Sequence, residues 1–215
     1  AQLAAVIGHE YTHFKNRHTL QLFRQARDKS NAAAWLSFVP FGFIASLGLV
    51  GSLFSFSREM EREADSGGLT LMANAGYDTR EAAIVWERLR DEMDATAVAR
   101  NTKSRKDKNG GFFATHPPSL ERVQNLKAAA LKEPGIPGET GADRYRRAMG
   151  RLWPEFVDDQ LKMNDFGASD FLIGSLGQQG WTPELLYARG ELYRRTGTED
   201  GLAQAVKFYS QAIDE

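Results

Sequence analysis

No cysteine occurs among the 215 residues. That excludes a disulfide framework and restricts any metal site to nitrogen and oxygen ligands, without fixing the compartment. There is no surplus of either charge: 27 basic residues face 28 acidic ones, for a net charge of −1. The chain therefore has no basic footprint of the kind that binds nucleic acid, and no nucleic-acid partner is expected. It opens at Ala1 with neither an initiator methionine nor a charged-then-apolar leader, and so reads as a mature or trimmed piece. Apolar residues make up 42%, enough for a globular core and too many for wholesale disorder. The length allows one good domain, or one domain with a small appendage.

Against that plain background one stretch stands out, His9-Glu10-Tyr11-Thr12-His13. Its flanks are rich in alanine and leucine and contain no proline, so it sits on a helix. Positions four apart share a helical face, which lets His9 and His13 hold one metal between two imidazoles. Glu10 lies one step round, within reach of a water in an open coordination position. This is the arrangement used to bind zinc and activate that water. The helix is expected from Gln2 to past Phe23, with a break near His18-Thr19. His18 lies five residues beyond His13, roughly 140° round a continuous helix, and so reads as structural or surface rather than as a ligand. One zincin branch takes its third ligand six residues after the second histidine, with a glycine between. Thr19 and Asn16 occupy those positions, so the third ligand must come from elsewhere.

Residues 31–56 carry no charge and hold many large apolar side chains. The length suits a bilayer crossing, which needs about 20 apolar residues. Pro40-Phe41-Gly42 interrupts the stretch, and serines and glycines dilute it, so two buried or interfacial helical pieces are expected rather than a span. It is the part of the chain suited to peripheral membrane contact. A charged helix follows from Ser57 to Ala75, with Gly76 as its stop and Gly67-Gly68 weakening its middle. Glu61 and Asp65 share one of its faces. Alone they are ordinary charged helix surface; beside a zinc motif short of a ligand they become candidates. Asp78-Thr79-Arg80-Glu81 has the pattern of a capping box opening the next helix. A polar, basic loop over 101–111 leads to Thr115-His116-Pro117-Pro118, where the prolines restrict the backbone of a loop histidine. Pro134 to Gly138 reads as a linker. Beyond it four helices are expected, the last opened by Thr182-Pro183. Leu186, Gly190, Tyr193, Ala205, Tyr209 and Ala212 echo the 34-residue helix–turn–helix repeat, although the spacing is about three residues too long.

Taken together, His-Glu-x-x-His, Ser57-Arg58-x-x-Glu61-x-Glu63-Ala64-Asp65 and Thr115-His116-Pro117-Pro118 resemble the gluzincin family of CaaX prenyl endopeptidases, HtpX and their periplasmic relatives. The trailing helices look most like the BepA-type periplasmic branch. The resemblance covers roughly residues 1–131, and 143–215 more loosely. It implies a mainly α protein: a zincin-like helical metallopeptidase domain over 1–133, its upstream part missing, a linker over 134–141, and a tetratricopeptide-like hairpin region over 142–215. It implies one Zn²⁺ held by His9, His13 and Glu61, Glu10 as catalytic base, Asp65 behind a ligand, and His116 near the active site, approaching either metal or substrate. The expected activity is zinc-dependent endopeptidase cleavage of protein or peptide substrates in or near a membrane, in envelope quality control. The expected setting is a bacterial periplasm or cell envelope, with a protein partner for the C-terminal helices. Two neutral imidazoles and one carboxylate leave a zinc ion a net charge of +1 and an open fourth position. The rival reading is a helical partner-binding module with a structural zinc, but such a site has no use for a base at Glu10.

Overall fold

The computed structural model describes residues 1–36, 58–104, 106, 116, 119–178 and 180–214. Among these the regular elements are helical, in agreement with the mainly α class expected. In chain order they are α1 (Gln2–Lys15), α2 (His18–Leu36), α3 (Arg58–Asn74), α4 (Glu81–Ala99), α5 (Leu120–Ala130), α6 (Ala142–Met149), a 3-10 turn (Gly150–Leu152), α7 (Trp153–Lys162), α8 (Phe166–Gly177), α9 (Pro183–Arg194) and α10 (Glu199–Asp214). Most of the 31–56 stretch and much of the 101–111 loop lie outside the described residues. No helix among those described is long and apolar enough to cross a membrane.

Packing divides the chain into two units, Ala1–Glu87 with Asp107–Gly141, and Arg88–Lys106 with Ala142–Glu215. The sequence division placed all of 1–133 in one domain, whereas the far half of α4 packs with the C-terminal helices. The cause is local. Gly167 sits so close to α4 that a Cβ there would lie 2.3 Å from the Ala95 carbonyl oxygen. Asp165, the N-cap of α8, also accepts from Thr96 Oγ1 at 3.1 Å and from Arg100 at 2.9 Å.

In the first unit, α1 packs against α3 and both turn an amphipathic stripe inward. Ala5, Gly8, His9, Thr12 and His13 are the buried positions of α1; Met60, Glu61, Ala64, Gly68, Leu69 and Met72 are those of α3. Ala5, Leu69 and Met72 join Ala82, Ala83, Leu126 and Ala130 in one core. The glycine pair in α3 has a purpose that helix propensity does not reveal. A Cβ on Gly68 would meet the His9 backbone nitrogen at 3.0 Å, and one on Gly8 would meet Gly68 Cα at 3.1 Å. Gly76 ends α3 at φ +79°, with its N–H on the Ala73 carbonyl and the Tyr77 N–H on the Met72 carbonyl at 3.0 Å. That double closure is the Schellman motif, which favours glycine at this position.

Two local expectations change. The first helix breaks at Asn16-Arg17, where Arg17 adopts φ 56°, and α2 starts at His18 rather than after it. The capping box does not form. Glu81 would have to reach back to the Asp78 N–H, but that N–H donates to the Glu139 carbonyl at 3.0 Å, while the Glu81 carboxylate accepts from Gln2 at 2.7 Å. Asp78 instead accepts from the Arg80 side chain at 2.9 Å and from the Gly138 N–H at 2.8 Å, which hydrogen-bonds the 134–141 stretch into the first unit.

The second unit has its own core of Leu161, Ile173, Ala188 and Leu192, flanked by Val157, Phe166 and Trp181. Thr182 caps α9 as expected, accepting from the Leu185 N–H with Pro183 in the first turn. α9 and α10 form a hairpin closed at Gly190, where a Cβ would meet the Tyr209 ring at 2.6 Å.

The crossing of α1 and α3 generates a prediction with a sign opposite to helix propensity. Gly→Ala inside an exposed helix stabilises by about 1 kcal/mol. At Gly68 the new methyl meets backbone, so Gly68→Ala is expected to destabilise by about 1–3 kcal/mol. Thermal unfolding reads the sign directly, and a raised Tm would show that the two helices part without cost.

Candidate metal centre

The α1–α3 contact brings two helical pairs together. His9 and His13, one turn apart on α1, are 4% and 3% exposed, and their Nε2 atoms stand 3.1 Å apart. Glu61 on α3 faces them, with Oε1 3.3 Å from His13 Nε2 and Oε2 3.6 Å from His9 Nε2. Asp65, one turn further along α3, places Oδ1 3.0 Å from His9 Nδ1. His116 brings Nδ1 to 2.9 Å from Glu61 Oε1 and 3.3 Å from His9 Nε2. One donor atom from each of His9, His13, Glu61 and His116 lies within 4.8 Å of all the others. Glu10 is on the exposed side of α1, its Oε1 3.8 Å from His116 Nε2. All six residues singled out from the sequence therefore converge.

The donor set fits a zinc ion. Three imidazoles and one carboxylate, with no thiolate, are ligands that zinc accepts in tetrahedral sites. Glu61 Oε2 is buried without an aligned hydrogen-bond donor, although Arg122 Nη1 stands 2.8 Å away as an ion pair. A buried carboxylate oxygen left in that state is suited to a cation. The electrostatics point the same way. Burial alone would raise the Glu61 carboxyl, but hydrogen bonds from His116 and His13 and the Arg122 charge outweigh it and hold the pKa at about 2. At His9 burial dominates over the Asp65 carboxylate and lowers the pKa, favouring the neutral form that a ligand needs. At His116 burial is overcome by the Glu61 carboxylate, and the pKa is raised.

Two participants escape the motif reading. The first is Arg122, 6% exposed on α5. All three of its guanidinium nitrogens are engaged: Nε donates to Asp65 Oδ2 at 2.7 Å, Nη2 to Asp65 Oδ1 at 2.6 Å, and Nη1 faces Glu61. Its Cζ lies 3.5 Å from the centroid of Trp86, a cation–π stack. The signal was in the periodicity, since Arg122 opens the buried stripe completed by Val123, Leu126 and Ala130. An arginine in such a stripe needs a buried partner. The second is His18. It is 1% exposed and touches His13, because the break at Arg17 turns it back from the direction that an unbroken helix would give it.

Removing the charge of Arg122 strands two carboxylates. Arg122→Met keeps the length of the side chain and is expected to cost about 3–5 kcal/mol in the metal-free protein. Urea denaturation measures this, and a loss below about 1 kcal/mol, the scale of exposed pairs, would mean that the pair is solvent-screened.

Comparison with known proteins places these residues in a family. The model of Peptidase family M48 matches residues 1–130. The mitochondrial metalloendopeptidase OMA1 of Arabidopsis thaliana is 32% identical over 157 residues, covering 67% of this chain and 29% of its own length. OMA1 of Schizosaccharomyces pombe is 33% identical over 162 residues, 71% of this chain and 41% of its own. A putative beta-barrel assembly-enhancing protease of Vibrio cholerae is 25% identical over 240 residues, covering 100% of this chain and 46% of its own length. The chain thus spans less than half the length of these relatives. No solved structure matches it. With a family match over more than half its residues, all of the clustered donors included, this chain belongs to peptidase family M48, a family of zinc metallopeptidases.

Proposed function

We propose that the chain carries the metal centre of a zinc endopeptidase that cleaves protein substrates. The observation that carries this reading is the convergence of four donor atoms within 4.8 Å beside an exposed carboxylate, Glu10. His9, His13 and Glu61 hold the metal, and Asp65 accepts from His9 Nδ1 and sets that ring's orientation. Bound zinc supplies Lewis acidity, activating water and polarising the scissile carbonyl. Glu10 takes a proton from the attacking water and passes it to the leaving amine. His116 has its Nδ1 within 4.8 Å of the other three donor atoms, which supports a restraining role in which it would be the fourth residue to hold the metal. The opposite role, a donor to the developing oxyanion beside an open position, would instead make His116→Ala lose about 10²–10³ in turnover.

The setting is proposed from the relatives. Their names place them in mitochondria or link them to β-barrel assembly. The match along the whole chain to the Vibrio cholerae protein supports a bacterial envelope and a role in protein quality control there. The hairpin of α9 and α10 is read as tetratricopeptide-like, a surface for a protein partner. Leu202, Val206 and Ile213 support this, recurring along α10 at 47%, 63% and 84% exposure.

Glu10→Gln is expected to keep zinc while casein cleavage falls by about 10²–10⁴, the usual worth of general acid–base catalysis. Glu61→Ala is expected to lose both zinc and cleavage. His116→Ala is expected to raise basal cleavage. Undiminished turnover by Glu10→Gln would remove Glu10 as the base, and full zinc content in Glu61→Ala would remove that residue from the ligand set.

A further inference from the structure

His18 has no part in the mechanism above, yet it is held more closely than a packing residue requires. On an unbroken helix it would stand roughly 140° from His13. The chain instead leaves α1 after Lys15 and turns through Arg17 at φ 56° before α2 begins at His18. Left-handed backbone is unfavourable for a residue with a Cβ, and it persists where the surroundings dictate it. The turn returns His18 to the second histidine of the motif. The two Nδ1 atoms are 2.9 Å apart, and the rings meet edge-on at 81°. On its other side His18 Nε2 is 3.1 Å from Glu63 Oε2, an oxygen that also accepts from Asn16 Nδ2 at 3.3 Å. Asn16 belongs to the same turn, so the break itself braces the acceptor.

The partners assign the protons. A carboxylate only accepts, so neutral His18 carries its proton on Nε2 and offers a lone pair at Nδ1. A His13 that ligates a metal through Nε2 carries its proton on Nδ1 and donates it to His18; Nε2 itself lies 3.1 Å from His9 Nε2 and 3.3 Å from Glu61 Oε1, among the clustered donor atoms. We infer that His18, backed by Glu63, is a positioning residue that fixes the tautomer and ring orientation of His13. It does for the second histidine what Asp65 does for His9. The inference rests on His13 being a metal ligand. It adds a chain of contacts from the metal site to Glu63, whose side chain is 54% exposed.

The test is the zinc dissociation constant, measured by chelator competition on the full chain with folding checked by circular dichroism. His18→Leu fills the space without an acceptor and is expected to weaken binding about 10–100-fold, the range found for partners behind a ligand. His18→Asn restores an acceptor where Nδ1 stood and is expected to recover most of that loss. Wild-type affinity in His18→Leu overturns the inference. An Asn variant no better than Leu does so too, since only packing would then be at stake. His13→Ala separates the two levels. If it binds zinc like the wild type, the ligand assignment fails; if it loses zinc while His18→Leu keeps it, only the positioning role fails. Should His18→Leu not fold, Glu63→Leu at its half-exposed position decides: weakened zinc binding supports the inference and unchanged binding overturns it.

Discussion

The close crossing of α1 over α3 is the constraint on which the rest depends. Each helix places its own pair of residues by spacing alone, His9 with His13 and Glu61 with Asp65. Neither pair is a site until the axes come near enough for a carboxylate to meet two imidazoles. Gly8 and Gly68 permit that approach, because backbone stands where side chains would otherwise meet. An alanine at either position would press on backbone, push the axes apart and hold Glu61 further from His13. The glycines exchange helix propensity for reach.

Bringing the helices together creates an electrostatic problem that the site solves within itself. Glu61 and Asp65 are side chains only 10% and 12% exposed, one turn apart on one face. Uncompensated, two buried carboxylates this close would repel each other with little water to screen them. Arg122 spans both with a single guanidinium and is itself laid on Trp86. A lysine has no planar fork with which to do this. Both carboxylates are therefore paired and oriented by the protein itself, which is preorganisation in the ordinary sense.

Much of this was legible in the sequence, and the parts that were not share a cause. The histidine pair and the acidic pair were legible because a four-residue spacing survives on any straight helix. Their encounter was not, since spacing within a helix says nothing about the angle between two. His18 was misplaced because a period of 3.6 residues was carried across a break, and no glycine or proline marks that break. Glu81 had the residue type for a capping box but lost its target to Glu139, a partner 58 positions beyond it. Arg122 belongs to no motif. Only the mismatch between its charge and its apolar stripe could have drawn notice. The far half of α4 went to the second unit through Gly167 and Asp165, contacts that no local pattern encodes.

The Ser119 cap of α5, which accepts from the Arg122 N–H at 3.2 Å, has a consequence for His116. The histidine is three positions before that cap, and three residue steps span at most roughly 10–11 Å. The cap is anchored in turn by the grip of Arg122 on α3. His116 is thus a group on a short leash. Under the restraining role proposed above, a substrate that displaces it leaves it close by, at an effective concentration far above that of any free competitor. Return is then an intramolecular event, completed without the two helices parting. The time for which the centre stands open would be set by how long the substrate holds the histidine aside.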